Sequence, residues 1–439
     1  MKHSDSLRKK LDDYPSAGYY PSETVLWTKS QDDRMDTMNL CLFAPEFLPV
    51  WGGTGSYVVE LVKFLPKEVN VHVITLRRTI PGMTESSSTT ISPKHIFNRD
   101  MRIHYISDAN ETFFYNLGFQ IACYRKIPKL HKEYRFDMFH SQFGHMSDIF
   151  LQLSKKIDIP SISTVHGTIA LLAEHSVGTS FSELEWSEKQ VKLFYPLLRT
   201  SELLYARRIS EFIAVSEFAK ERVVKDLRVE PNRVKVILNG VDTELFHPAS
   251  ENETEGKNAK PTVVFIGRMV AKKGVHVLIR AMPDILKRKP DTNFLFVGGG
   301  LTSFYRRMVE RLGIPNESFS FIGHIGYFQR PKILQQATVF VNPSFFELCS
   351  LSILEAMSCG TSVVASNVEG NTELIKSGKD GLLVPVSDPQ RLSEAVISLL
   401  EDENLRSKLG KEARHTVEKS FTAKRTAEET YKLYRQLQD

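Results

Sequence analysis

From residue 39 onward, short apolar runs rich in β-branched residues alternate with longer amphipathic ones. The short runs predict strands at 39–44, 69–76, 102–106, 136–143, 161–166 and 211–216, and a second series at 262–268, 293–298, 318–322, 337–343, 362–366 and 381–385. Apolar positions at helical spacing lie between many of them, as at 57–65, 275–287 and 389–400. Strand and helix in alternation predict an α/β protein with parallel sheets and helices on both faces. Such sheets are buried on both sides, which suits the nearly unbroken apolar runs TVVFIG and FLFVG.

The alternation breaks once. The stretch at 248–261, PASENETEGKNAKP, is polar and rich in turn formers, and it reads as a linker. The expected organisation is a polar N-terminal extension at 1–37, a Rossmann-like domain at 38–243, a linker at 244–261, a second Rossmann-like domain at 262–422 and a closing segment at 423–439. Ligands of open α/β sheets sit beyond the carboxyl ends of the strands, so two such sheets are expected to share a cleft.

Composition narrows the picture. A chain of 439 residues suits two domains, and 41% hydrophobic with 25% charged residues is ordinary for a globular protein. A net charge of +5 is too mild to argue for nucleic acid, and no basic-aromatic interleaving supports it. Cys41, Cys123, Cys349 and Cys359 have no metal-ligand spacing and imply no disulfide framework, which suits a reducing cytoplasm. No apolar run reaches the ~18–20 residues of a membrane span. The first 36 residues lack the apolar centre of a signal peptide.

Several segments could carry chemistry. Gly52, Gly53 and Gly55 lead into a helix whose free amides favour an anion, though a tight strand-to-helix connection reads the same way. Arg268 ends a predicted strand and Lys273 follows in the same loop, two cations suited to a diphosphate. Lys272 reads as solvated surface charge. Glu347 and Glu355 flank the start of a helix in FELCSLSILEAMSCG, where carboxylates could hold sugar hydroxyls. Ser352 and Glu355 also form an S-x-x-E pattern, so Glu355 could cap its helix only. His166 ends the strand SISTVHG, with His140 and His145 in a similar place on the strand before; a core histidine is the competing reading. The glycines at 298–300 and 323–326 end strands and could admit a ligand or simply turn the chain. No metal site is expected, since neither HExxH nor a carboxylate cluster occurs. The segment 186–208 mixes Lys189, Lys192, Arg199, Arg207 and Arg208 with Leu193, Phe194, Tyr195, Leu197 and Leu198, interrupted by Pro196. It reads as a core-facing helix with a charged side, or as a face for anionic lipid.

These segments together resemble the family 4 retaining glycosyltransferases of the GT-B fold, two Rossmann-like domains around a cleft. The likeness runs from about residue 38 to the C-terminus. It rests on PVWGGTGSYVVELVKFL, STVHG, AVSEFAKERV, NGVDTELFHP, IGRMVAKKG, VNPSFFE with its E-x7-E pair, and EAMSCGTSVVAS, in that order. The resemblance implies a metal-independent hexosyltransferase with no cofactor beyond its donor substrate, a UDP- or GDP-sugar. The acceptor would be a hydroxyl of a glycan, lipid or small molecule. Gly52 and Gly53 would lie against the donor, Arg268 and Lys273 on its diphosphate, Ile325 at its base and Glu355 on its ribose. Glu347 and His166 would contact the transferred sugar. Cys349, Ser350 and Leu351 would meet the donor at the helix start. Cys349 and Ser350 stand where the family usually has Phe-Gly, and a serine there could cap the helix and compete for its amides. The segment 427–438 would return to the first domain. Front-face attack with retention follows from the same resemblance, since neither glutamate is assigned to a base or nucleophile. Two other readings are a non-catalytic sugar-nucleotide-binding protein and an epimerase of the same fold. The expected location is the cytoplasm, with peripheral contact to the inner face of the membrane.

Overall fold

The computed structural model describes residues 37–47, 52–78, 97, 99, 101–109, 115–174, 184, 186–250 and 260–438. The N-terminal extension and most of the 248–261 stretch lie outside the described residues. So do Pro49, Val50 and Trp51 of the glycine-rich motif. Two compact units are present. One holds the described residues up to Glu174, then Gln190–Leu238 and the C-terminal residues from Ala423. The other holds Asn239–Thr422 with residues 184 and 186–189.

The first unit is built on a seven-stranded sheet among the described residues. Its strands are β1 (Met38–Phe43), β2 (Val69–Arg78), β3 (Met101–Ala109), β4 (Met138–Gln142), β5 (Ser161–Val165), β6 (Glu211–Ala214) and β7 (Val234–Val236). They lie in the order β3-β2-β1-β4-β5-β6-β7, all parallel. The order reverses between β1 and β4. Helix α1 (Gly53–Phe64) follows β1, α2 (Tyr115–Tyr134) follows β3, and α3 (Ile149–Ser154) follows β4. Phe43, Phe139, Phe136, Phe119 and Cys123 pack a core between this sheet and its helices. Beyond β5 come α4 (Ile169–Glu174), α5 (Trp186–Leu193), α6 (Tyr195–Ala206) and α7 (Glu217–Leu227). Pro196 falls in the first turn of α6, where its missing N–H costs nothing, and it separates α6 from α5.

The second unit repeats the plan. Strands β8 (Thr262–Ile266), β9 (Asn293–Val297), β10 (Phe319–Gly323), β11 (Val339–Asn342), β12 (Val363–Ser366) and β13 (Leu382–Val384) lie in the order β10-β9-β8-β11-β12-β13, again all parallel. The reversal falls between β8 and β11. Its helices are α8 (Val275–Arg288), α9 (Thr302–Arg311), α10 (Arg330–Gln336), α11 (Leu351–Ser358), α12 (Glu369–Thr372), α13 (Pro389–Glu401) and α14 (Glu403–Ser420). Val263, Phe265, Phe294, Phe296, Val339 and Val341 form the core with Leu278, Met282 and Val396. Each such side chain contributes roughly 1.5–3 kcal/mol on burial.

The last helix, α15 (Ala423–Gln438), belongs to the first unit and packs on α1. Its Tyr434 hydroxyl meets His140 Nδ1 on β4 at 2.6 Å, and His140 Nε2 meets Thr164 Oγ1 on β5 at 2.8 Å. Thr430 bonds the hydroxyl of Tyr57 on α1. Tyr434, His140, Thr164, Thr430 and Tyr57 are all buried, so each of these bonds relieves a desolvated polar group.

Candidate active site

In both sheets the strand order reverses at one point, and there the loops part to leave room for a ligand. Arg268 follows β8, and Lys272 and Lys273 lie in a 3-10 turn (Ala271–Lys273) just beyond it. Glu347 follows β11, the strand beside β8. Gly274 brings the two loops together. It sits at φ 67°, and a Cβ there would lie 1.8 Å from the Pro343 carbonyl oxygen. Only glycine meets both conditions.

The result is an ion pair of 2.6 Å between Lys273 Nζ and Glu347 Oε1. Ser344 Oγ donates to the same oxygen at 2.8 Å. Asn342 Nδ2 reaches Ser350 Oγ at 3.2 Å and fixes the loop from β11 to α11. The Lys273 and Ser344 bonds both fall on Oε1, so Oε2 of Glu347 keeps its capacity to accept. Lys273 is 26% exposed and Glu347 9%, so the pair is partly open to solvent on the lysine side. Arg268 is exposed, and Lys272 is half-buried. Burial, then the charges of Arg268 and Lys273, push Lys272 down to about 8, against the pull of Glu188 and Glu347. Lys272 is therefore part of the cationic group and not the detached surface charge its sequence context suggests.

Helix α11 starts at Leu351 because Ser350 is its N-cap, with extended backbone at φ −76° and ψ 108°. The expectation that Ser350 caps the helix with its own hydroxyl is corrected. That hydroxyl makes no cap bond and is turned to Asn342 and Ser352. The first-turn amides at Leu351, Ser352 and Ile353 are left without a side-chain cap, as an anion requires. Cys349 is buried, and desolvation raises its thiol to about 12, so it acts as a packing residue beside Asn239.

The capping-box reading of Glu355 is corrected as well. With Ser350 as N-cap, Ser352 lies inside the first turn and Glu355 beyond it. Glu355 Oε1 pairs with Arg330 Nη1 of α10 at 2.7 Å. Its Oε2 is buried with no hydrogen-bond partner. Burial pushes this carboxyl up and Arg330 pulls it down. A buried acceptor without a donor costs about 1–3 kcal/mol, so Oε2 is a place for an incoming hydroxyl. Ile325 is half-buried in the loop after β10.

Gly52, Gly53 and His166 lie in the other unit. Gly52 is the N-cap of α1 and offers no side chain, so the amides of that turn are also uncapped. Glu46, on the loop after β1, comes close: a Cβ on Gly52 would lie 3.1 Å from its Oε2. Glu46 Oε1 is 3.7 Å from His145 Nε2, and His145 Nδ1 meets Asn116 Oδ1 at 3.1 Å.

His166 follows β5 and is half-buried, not a sealed core residue. Its Nε2 meets Gln142 Oε1, at the end of β4, at 3.0 Å. The ring of Tyr57 packs edge-on at 4.8 Å. Burial pushes His166 down to about 4, with Glu46 raising and His145 lowering it, so the imidazole is neutral at pH 7. The Gln142 amide nitrogen is buried and has no partner, at a cost of about 1–3 kcal/mol.

Gln142, Arg330, Asn342 and Ser344 hold the candidate residues. Asn342 and Ser344 fall within the VNPSFFE motif, close in sequence to their partners, whereas Gln142 and Arg330 are brought to His166 and Glu355 by the fold across 24 and 25 residues. Among the described residues no three His, Cys, Asp or Glu side chains gather as a metal site, and no helix is long and apolar enough to cross a membrane.

Comparison with known proteins defines the class. The family model described as "Glycosyl transferases group 1" matches residues 248–416, and that described as "Glycosyltransferase Family 4" matches residues 51–245. The chain belongs to this family of glycosyltransferases, and its fold is GT-B. It is similar to the α-maltose-1-phosphate synthase of Mycobacterium tuberculosis, 27% identical over 422 residues, covering 91% of this chain and 100% of that protein. Sucrose-phosphate synthase from Thermosynechococcus elongatus has a similar fold, with TM-score 0.74 at 22% identity, covering 91% of this chain and 99% of that one. Anabaena HepE in complex with UDP-glucose gives a TM-score of 0.68 at 18% identity, covering 91% and 100%.

Proposed function

We propose that this glycosyltransferase moves a hexosyl unit from a UDP- or GDP-sugar to an acceptor hydroxyl of a glycan, lipid or small molecule, with retention and without a metal ion. The observation that carries the reading is the cationic group of Arg268, Lys272 and Lys273 near the switch point of one sheet. A diphosphate on these cations and on the uncapped start of α11 would have its charge matched as the sugar leaves. Glu355 Oε2 supplies an acceptor for a ribose hydroxyl and Glu347 Oε2 one for a sugar hydroxyl. His166, a neutral imidazole at pH 7, is the residue that the family resemblance assigns to the transferred sugar. The UDP-glucose held by HepE, a protein of similar fold, supports the donor class.

With Glu347 read as a partner of sugar hydroxyls and Glu355 of the ribose, as the family resemblance implies, neither carboxylate is assigned as a nucleophile under the anomeric carbon or as a base for the acceptor. Front-face attack remains, in which a phosphate oxygen of the departing diphosphate takes the acceptor's proton. A panel of UDP- and GDP-sugars screened by thermal shift identifies the donor, because a ligand at 100 times its Kd adds about 2.7 kcal/mol. Proton NMR of the product in excess EDTA then reads the rest. An inverted anomer refutes the retaining route, and loss of activity to EDTA refutes the metal-free one.

Helix α6 faces the core through Glu202, Tyr205 and Ala206, and its outer side with the end of α5 suits a lipid contact as well. Leu193, Phe194, Leu197 and Leu204 are exposed, Leu197 by 66%. Lys192, Arg207 and Arg208 are exposed on the same two-helix segment. An apolar stripe flanked by cations suits an anionic bilayer. Co-sedimentation with phosphatidylglycerol vesicles at low salt is expected to retain the protein, and Leu193→Ser with Leu197→Ser to release it. Equal retention of both proteins sinks the idea.

A further inference from the structure

The Gln142–His166 pair has a consequence for the chemistry of the site. Strands β4 and β5 are parallel neighbours with Gln142 opposite Thr164, so Gln142 and His166 both stand at the carboxyl ends. An amide oxygen can only accept, so the proton shared with Gln142 Oε1 sits on His166 Nε2. The same ring's Nδ1 has no protein partner among the described residues. Tyr57 lies edge-on to the ring and limits its rotation. Packing does not account for an amide at position 142. A methionine of similar length would fill the space without a buried, unpartnered nitrogen.

We infer that Gln142 is a positioning residue for the transfer reaction: its side-chain oxygen holds the Nε2–H form of His166 and keeps Nδ1 bare, to accept a hydrogen bond from a hydroxyl of the sugar or acceptor. The inference rests on the reading that His166 contacts the reacting sugar. A ring nitrogen's partner fixes what the other nitrogen can do, and losing such a partner typically costs about 10–100-fold in activity at metal sites, where the effect is best known. The charged and titratable groups acting on His166 are Glu46 from the loop after β1, His145 beyond β4 and His140 within β4, with Tyr57 against its ring.

The test uses the full-length protein with 15N-labelled histidine. The His166 resonances are assigned by their loss in His166→Asn. At pH 7 the wild-type protein is expected to show the Nε2-protonated pattern; an Nδ1-protonated or doubly protonated ring overturns the inference whatever the variants do. Gln142→Met is expected to mix the two forms and to lower kcat by about 10-fold or more, with KM for the donor within about twofold. Gln142→Glu keeps an oxygen acceptor but adds a negative charge, which favours the doubly protonated ring. Its activity is expected to be low near pH 6 and to recover toward wild type as the pH rises past the raised His166 ionisation. Superimposable pH profiles for wild type, Gln142→Met and Gln142→Glu overturn the inference, as does a Gln142→Met enzyme with full kcat. The resonance measurement needs no donor, so a failure of the transferase reading leaves that arm to succeed or fail by itself.

Discussion

Lysines 272 and 273 are neighbours in sequence with different work to do. Lys273 is clamped to Glu347 at 2.6 Å, so its ammonium is already oriented before a diphosphate arrives. Preorganised charge of this kind matters most when charge develops on the leaving group, and removing it typically costs about 10²–10³-fold in rate. Lys273→Ala is expected to lose that much kcat with a folded protein and a smaller change in UDP binding; near-normal turnover removes Lys273 from catalysis. Lys272, held near pKa 8 by burial and by two cations, acts differently. An anion needs it protonated and pulls the proton on. Nucleotide Kd is therefore flat below pH 8 and rises by about tenfold per pH unit above it, until the bound-state ionisation is reached. Calorimetry with UDP from pH 7 to 9 measures this, and Lys272→Met is expected to flatten the curve. A wild-type Kd independent of pH across that range refutes a role for Lys272 in binding the diphosphate.

Elements decide which glycines are about space and which about ligand. On α12, a Cβ at Gly370 would lie 2.2 Å from the Glu347 carbonyl oxygen and 2.7 Å from that of Leu348. Gly370→Ala must push the Glu347 loop away, so stability and activity are expected to fall together. At the start of α1 nothing lies within 4 Å of a Cβ on Gly53. Gly53→Ala should leave the melting temperature unchanged or raise it slightly, because alanine is the better helix former by about 0.5–1 kcal/mol. Lost donor use in that stable variant marks a ligand against the helix start; full activity marks an ordinary connection. The sequence made such elements legible where one pattern ruled. All twelve expected strands are present because parallel strands buried on both faces read as apolar runs. The strand it missed, β7, is three residues long at a sheet edge and carries an exposed Lys235. The glutamate and lysine loops of the site were legible from their place after strands. Two of their holders, Arg330 and Gln142, were not, because the fold alone brings them to their partners.

Among the described residues, the histidines whose ionisation is lowered fall unevenly. His72, His104, His140 and His166 all lie in the first unit, and burial lowers each, to about 3, 4, 3 and 4. His72 and His104 stack with a 3.1 Å contact between ring nitrogens, and Arg102 disfavours charge on both. For a histidine whose folded pKa is depressed, the two states bind protons alike above about pH 6.5, the unfolded value. Below that pH the unfolded chain takes up protons that the folded chain refuses, so stability falls until the folded pKa is reached. At pH 5.5 each of the four removes about 1 kcal/mol from the first unit. Raised carboxyls such as Asp148, buried in the same unit, act in the opposite direction, but only as the pH falls through their own folded values. A two-unit protein need not melt in one step. Scanning calorimetry at pH 7.5 and 5.5 is therefore expected to show the first unit's transition moving down by several degrees on acidification. UDP, proposed to bind the second unit, marks the other transition by raising it. Replacing His72 and His104 together by phenylalanine should reduce the acid shift by about half if the repacked pair is tolerated. The wild-type shift is the decisive measurement: equal movement of both transitions, or none between these pH values, refutes the claim that histidine burial in one unit governs its acid stability.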